Sequence, residues 1–222
     1  MKGSRSLRAS RDHELQTENT NNNGFDYRMK KRKFGWTSAL IVSCVLATGS
    51  VAAESFRHTI TGEDLNVPES SLPEGRDSEA AKHFLETGVN LYTEVPGCFP
   101  KGEEIYLTAC SGCHGHYGEG KLGPGLGDAY WTYPKNTTDK GLFETIYGGA
   151  QGMMGPHADH SIDDLLKLIA WIRHIYSGDV ADADWLTEEQ KKNFKPFKPE
   201  EHKPAEGGEQ VADAGECKAS AP

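Results

Sequence analysis

Long apolar runs are scarce in this 222-residue chain. The stretch that stands out, Trp36 to Ala47, is shorter than the roughly 20 residues a bilayer-spanning helix needs, so no stable membrane insertion is expected. Positive charge is also short, with 24 Lys and Arg against 33 Asp and Glu, a net charge of -9. That balance excludes nucleic acid and anionic membrane surfaces as natural partners, because positive charge does the attracting there. No segment shows a convincing alternation of apolar and polar residues, which removes sheet architectures. Hydrophobic residues make up only 36% of the chain, enough for one ordinary domain with extensions but not for a large core.

What charge there is lies unevenly. Met29-Lys-Lys-Arg-Lys-Phe is a basic start, Trp36 to Ala47 has the character of a signal h-region, and Val51-Ala52-Ala53 supplies small residues for cleavage after Ala53. Residues 1–53 are therefore expected to be a leader and signal peptide, with Met29 a candidate for the true start. Ile41-Val42-Ser43-Cys44 also fits a lipobox, but the apolar run continues straight past Cys44. Either reading exports the protein to the periplasm. The chain after Ala53 carries 15 positive and 29 negative side chains, a net of -14, and should favour partners with basic patches.

Cysteine is rare and informative. Of five, Cys44 falls in the leader, leaving Cys98, Cys110, Cys113 and Cys217. Cys110-Ser-Gly-Cys113-His114 reads as a covalent c-type haem attachment: two thioethers from the cysteines and an axial imidazole from the histidine. Residues three apart share a helix face, so both sulfurs reach one porphyrin edge while the next residue swings under the iron. A thioredoxin-like motif would sit beside a βαβ pattern, and none is nearby. A zinc site would need a fourth ligand, and beyond His116 nothing marks a finger. The two cysteines outside the motif, Cys98 and Cys217, are expected to form a disulfide in an oxidising compartment.

Helices separated by Gly-rich loops surround the motif. Pro100 suits a first helical turn, with Glu103 and Glu104 near its positive end, and Gly102, Tyr106 and Cys110 share one face. After the glycine-rich stretch from His116 to Asp128, Thr137 or Thr138 can cap a helix that points Leu142, Phe143, Ile146 and Tyr147 inward. Ser161-Ile-Asp-Asp164 resembles a capping box and opens a helix from Ile162 to Tyr176. Its buried stripe runs Ile162, Leu165, Leu166, Ile169, Ile172 and Tyr176, with Asp163, Lys167 and His174 opposite. Gly123-Pro-Gly-Leu-Gly127 has no preceding strand and no following helix start at the right distance, so it is no dinucleotide site.

Between the last two helices lies Gly149-Ala-Gln-Gly-Met153-Met154-Gly-Pro-His157. A haem iron with one axial His commonly takes a Met thioether as its second ligand for electron transfer. Two methionines in a Gly/Pro loop have no helical register and are poorly explained as core filler. Met154, followed by the rigid Gly155-Pro156, is the expected iron ligand; Met153 is the alternative and His157 a third candidate. A saturated iron speaks against a peroxidase or sensor, so the chain reads as an electron carrier and not an enzyme.

The order helix, C-x-x-C-H, Gly-rich loop, helix, Met loop, aromatic-bearing helix resembles a class I cytochrome c. Gly102 with Tyr106, and Leu168 with Trp171, look like that family's crossing of N- and C-terminal helices. More narrowly, the run from Cys110 to Pro134 and the stretch Gly148-Gly-Ala-Gln-Gly-Met-Met-Gly-Pro-His157 resemble the cytochrome c-L family, over roughly residues 58 to 180. The resemblance implies an all-α haem domain with one covalent haem c. It also implies a quinoprotein (PQQ-dependent) methanol dehydrogenase as electron donor and a second small cytochrome c as acceptor. A different periplasmic dehydrogenase, including a lanthanide-dependent methanol dehydrogenase, is the alternative donor. Some relatives hold calcium, for which Asp128, Asp159, Asp163 and Asp164 are candidates, although no EF-hand spacing supports it. In the resemblance, the loop after the motif runs beside the haem.

The domain plan is then residues 54–98 as an N-terminal extension with one helix, 99–178 as the haem domain, and 179–222 as a long irregular tail. The extension's helix is expected over 78–92, with Ala81, Phe84, Leu85, Gly88 and Tyr92 along one side. The tail is too hydrophilic to fold alone, with Cys217 giving it at least one attachment point. The histidines outside the leader and the motif, His58, His83, His116, His157, His160, His174 and His202, are expected at the surface or in loops with no catalytic role.

Overall fold

In a computed structural model of the chain, residues 54–202 and 215–219 are described. The leader, its cleavage site, the possible start at Met29 and the Cys44 lipobox lie outside the described residues. The architecture is helical, and among the described residues the only β pairing is an isolated bridge between Arg57 and Asp64. Among the described residues seven α-helices occur in order: α1 (Val67–Ser70), α2 (Glu79–Thr87), α3 (Phe99–Ala109), α4 (Ser111–His114), α5 (Asp139–Gly148), α6 (Ile162–His174) and α7 (Glu188–Asn193).

Local chemistry sets most boundaries. Ser78, Thr138 and Ser161 each accept a hydrogen bond from the backbone N–H three residues on, at 3.1 Å, and so cap α2, α5 and α6. Pro100 sits in the first turn of α3, where its missing N–H costs nothing. Helix α2 stops earlier than the sequence suggests. Gly88 takes φ 72° and ends it, so Tyr92 lies beyond the helix in a turn. Tyr92 instead donates its hydroxyl to Asp163 at 2.6 Å.

Helix α6 is the centre of the molecule. Ile162, Leu165, Leu166, Leu168, Ile169, Ala170, Trp171 and Ile172 are all buried, and each large aliphatic side chain so removed from water contributes about 1.5–3 kcal/mol. Its principal partner is α3, which crosses it at Gly102. A Cβ at Gly102 would collide with the Lys167 carbonyl and lie 2.8 Å from the Trp171 Cβ, so only glycine allows this approach. The N-terminal extension is fixed from another side. Phe56, Phe84 and Phe143 form an aromatic triad with centroids 4.8–5.6 Å apart, and the Arg57 N–H donates to Glu144 at 2.8 Å.

The supposed polar face of α6 needs correction. Asp163 and Lys167 pair at 2.6 Å and are largely covered, while His174 stacks on Phe99 at 4.1 Å. Tyr92 covers Asp163 and Lys167, and the C-terminal segment covers His174. Residues 179–202 are not a loose tail: Ala183 and Leu186 are buried against Tyr176, and Phe197 packs against Trp171 and His174. His202 meets the buried carboxylate of Glu103 at 2.7 Å. The last described segment is held by a Cys98–Cys217 disulfide, 119 residues apart in sequence.

Candidate functional site

Helix α3 ends at Cys110, and the short α4 turns the next residues inward. The N–H groups of Cys113 and His114 both donate to the Cys110 carbonyl, at 3.1 and 3.0 Å. Cys110 is half-buried and Cys113 exposed, and both are free thiols. His114 is buried, and its Nδ1 lies 2.8 Å from the Pro124 carbonyl. A carbonyl can only accept, so Nδ1 carries the proton and Nε2 keeps its lone pair for a metal.

The glycine-rich loop after the motif makes that contact possible. A Cβ on Gly123 would lie 2.7 Å from the His114 ring, so the backbone closes over the imidazole only because this position is bare. Further hydrogen bonds hold the loop: Gly123 N–H to Cys113 O at 2.9 Å and Gly120 N–H to His114 O at 2.7 Å. The Glu119 carboxylate accepts the N–H groups of His116 and Tyr117 at 3.0 and 2.8 Å. Backbone N–H groups, its own and that of Tyr117 first, hold this carboxyl below the usual range.

Cys110, Cys113 and His114 line a cavity of about 400 Å³. Leu126, Trp131, Leu142, Ile146 and Ile172 make much of its wall apolar. The Met loop supplies another part, with Met153, Met154 and His157. The Ala150 N–H donates to Met154 O at 3.0 Å and the Gln151 N–H to the Tyr133 hydroxyl at 3.1 Å, while the His157 N–H ties the loop to Ile146 O at 3.0 Å. Met154 is half-buried against the core, whereas Met153 is 83% exposed. Burial lowers the His157 pKa, with the nearby Asp159 carboxylate opposing.

These residues fit a haem. The wall is apolar, two free thiols stand beside an imidazole of fixed tautomer, and a thioether is at hand. The buried Trp131 Nε1 lines the cavity without a partner, and an acceptor oxygen on a bound group would satisfy it. Behind Trp131 sits Arg173, which is fully buried. It donates to Asp139 at 3.0 Å and Asn136 O at 2.9 Å, and its guanidinium contacts the Trp131 and Trp185 rings, which lie at right angles to each other. Sequence reading passed over this cluster; its one signal was an arginine adjoining the apolar stripe of α6. The four calcium candidates do not form a shared ligand set among the described residues. Asp163 is engaged by Tyr92 and Lys167, Asp128 accepts the Tyr130 N–H, and Asp159 stands with His157 and His160.

Helices packed around an apolar cavity, with a C-x-x-C-H turn and a methionine loop in its wall, define a c-type cytochrome. Residues 99–172 match the family model described as cytochrome c oxidase, cbb3-type, subunit III. Cytochrome c-L of Methylorubrum extorquens is 54% identical over 164 residues, covering 73% of this chain and 80% of that protein. The crystal structure of cytochrome cL from Hyphomicrobium denitrificans is 69% identical with a TM-score of 0.63, covering 68% of this chain and 90% of that one. That of cytochrome cL from the marine methylotroph Methylophaga aminisulfidivorans is 54% identical with a TM-score of 0.62, covering 67% and 99%. This chain belongs to the cytochrome c-L family. It is accordingly a cytochrome electron carrier in methylotrophy and not an enzyme. No helix among the described residues is long and apolar enough to cross a membrane.

Proposed function

We propose that this chain works in the periplasm, taking single electrons from a quinoprotein methanol dehydrogenase and passing them to a second small cytochrome c. One haem c would be held by thioethers to Cys110 and Cys113, with His114 and Met154 supplying its iron ligands. When bound, it supplies a one-electron couple. The observation that carries this reading is the shared cavity: a proton-fixed His114 and a half-buried Met154 line the same apolar space, and Met153, at its mouth, is mostly exposed to solvent.

The residues around that cavity have separable jobs. Pro124 sets the His114 tautomer, so the imidazole offers its lone pair without a proton transfer. Trp131, Leu142, Ile146 and Ile172 exclude water, which keeps solvent reorganisation small when charge changes. The loop bonds to Tyr133 and Ile146 hold the methionine near one position in both oxidation states. At the mouth, Leu122 and Met153 are strongly exposed apolar side chains that a partner can cover briefly. Residues 1–53 serve as an export leader, 54–98 as an extension, 99–178 as the haem domain and 179–222 as a C-terminal strap.

The net -14 after Ala53 steers a partner that presents basic residues. Mixing the oxidised cytochrome with methanol dehydrogenase and methanol should give methanol-dependent haem reduction. The rate should fall as salt rises toward physiological strength, where the screening length is about 8 Å. No reduction by either the calcium or the lanthanide type of dehydrogenase would remove the methanol assignment. Reduction by the lanthanide type alone would replace the donor and keep the rest.

A further inference from the structure

Just beyond the methionine loop, one ligand atom from each of His157, Asp159 and His160 lies within 4.8 Å of the other two. Their placement follows from backbone ties on either side. The His157 N–H is bonded to Ile146 O at 3.0 Å near the end of α5, and the His160 N–H closes a turn onto His157 O at 3.2 Å. Ser161 then caps α6. The two imidazole rings are held nearly parallel, 6.3 Å apart with 30° between their planes. Both histidines are half-buried and Asp159 is exposed, so the cluster opens to solvent on one side. Among the described residues, no hydrogen bond or ion pair occupies the imidazole nitrogens or the Asp159 carboxylate.

We propose that His157, Asp159 and His160 bind one divalent transition-metal cation of the Zn²⁺ or Cu²⁺ class. Two imidazole nitrogens and one carboxylate oxygen are the donors such ions favour, whereas Ca²⁺ and Mg²⁺ seek oxygen ligands in larger number. Donors about 2.0–2.2 Å from a tetrahedral ion lie roughly 3.3–3.6 Å from one another. Side-chain rotation alone can close the present spacing, because the three Cα positions sit on one turn anchored at both ends. Three protein ligands leave a fourth position for water. The site adjoins the haem cavity through His157, so a bound ion puts two positive charges at the rim of a strongly acidic protein.

The test uses untagged, full-length holo-cytochrome, stripped with EDTA and dialysed. Titration with zinc chloride by calorimetry should show one saturable site. Copper(II) sulfate should give an electron paramagnetic resonance spectrum with nitrogen hyperfine structure from two imidazoles. Asp159→Asn and His160→Ala should each weaken zinc binding at least tenfold, while His83→Ala on α2 leaves it unchanged. Neither residue lines the haem cavity, and an unaltered haem spectrum checks that the cavity is intact. Absence of a saturable site overturns the proposal. So does zinc binding that neither substitution moves, or a site that takes calcium but neither zinc nor copper.

Discussion

Replacing Gly102 with alanine sets two effects against each other in one methyl group. Alanine is the better helix former, by about 1 kcal/mol at an interior position. Against this, the new Cβ would overlap the Lys167 carbonyl and sit 2.8 Å from the Trp171 Cβ. Those atoms belong to the backbone and the base of a fully buried side chain on α6, so no rotamer change clears them. The helices must separate instead, which loosens the packing of Tyr106, Leu168 and Trp171. Overpacking of this kind costs about 1–3 kcal/mol when side chains can yield, and here backbone must move. The net expectation for Gly102→Ala is a destabilisation of about 2 kcal/mol. Urea unfolding of the holo-protein, followed by far-ultraviolet circular dichroism, measures it. Gly112→Ala is the control, since a Cβ there meets nothing within 4 Å, and it should be neutral or mildly stabilising. If Gly102→Ala proved as stable as the parent or more so, helix propensity would dominate and the close crossing would be refuted.

Met154→Ala should abolish the weak sulfur-to-iron band at the red end of the oxidised spectrum and lower the potential, while Met153→Ala should leave both unchanged; the reverse pattern would transfer the ligand role to Met153. Burial, with His202 second, pushes the His174 imidazole down to about 4, so the unfolded chain binds this proton more readily than the folded one. Stability should therefore be full above about pH 6.5 and decline as pH falls toward 4, by up to about 3 kcal/mol. Urea midpoints at pH 7 and 5 should converge in His174→Phe, and an unchanged pH slope in that variant would discard the assignment. Removing the Cys98–Cys217 bridge by a Cys98→Ala, Cys217→Ala double substitution should lower stability by no more than about 5 kcal/mol, the entropic ceiling for a loop of 119 residues. The visible haem spectrum should persist in that variant, and its loss would mean that the strap is needed to build the cavity.

The local grammar of the chain was enough to find its helices and to single out candidate haem-binding residues. Ser161 before an apolar stripe, Thr138 before Leu142, and Pro100 ahead of Tyr106 mark helix starts because capping acts over three or four residues. The proposed attachment through Cys110, Cys113 and His114 is legible for the same reason, because thioethers to one porphyrin edge would demand a fixed local spacing. A Cys98–Cys217 pairing could be reached by elimination. Other features depend on what lies across the fold, and periodicity carries no signal for them. His174 reads as a solvent-facing position on α6 until Phe99 and Phe197 close over it. Residues 179–202 look too polar to fold alone, and alone they would be; Trp185, Leu186 and Phe197 become ordered by packing on surface that the haem domain already provides. Arg173 is a charged residue in an apolar helix whose partner, Asp139, lies 34 positions earlier in the chain. Met153 and Met154 are chemically identical neighbours that only tertiary packing distinguishes, because one faces solvent and the other rests on the core.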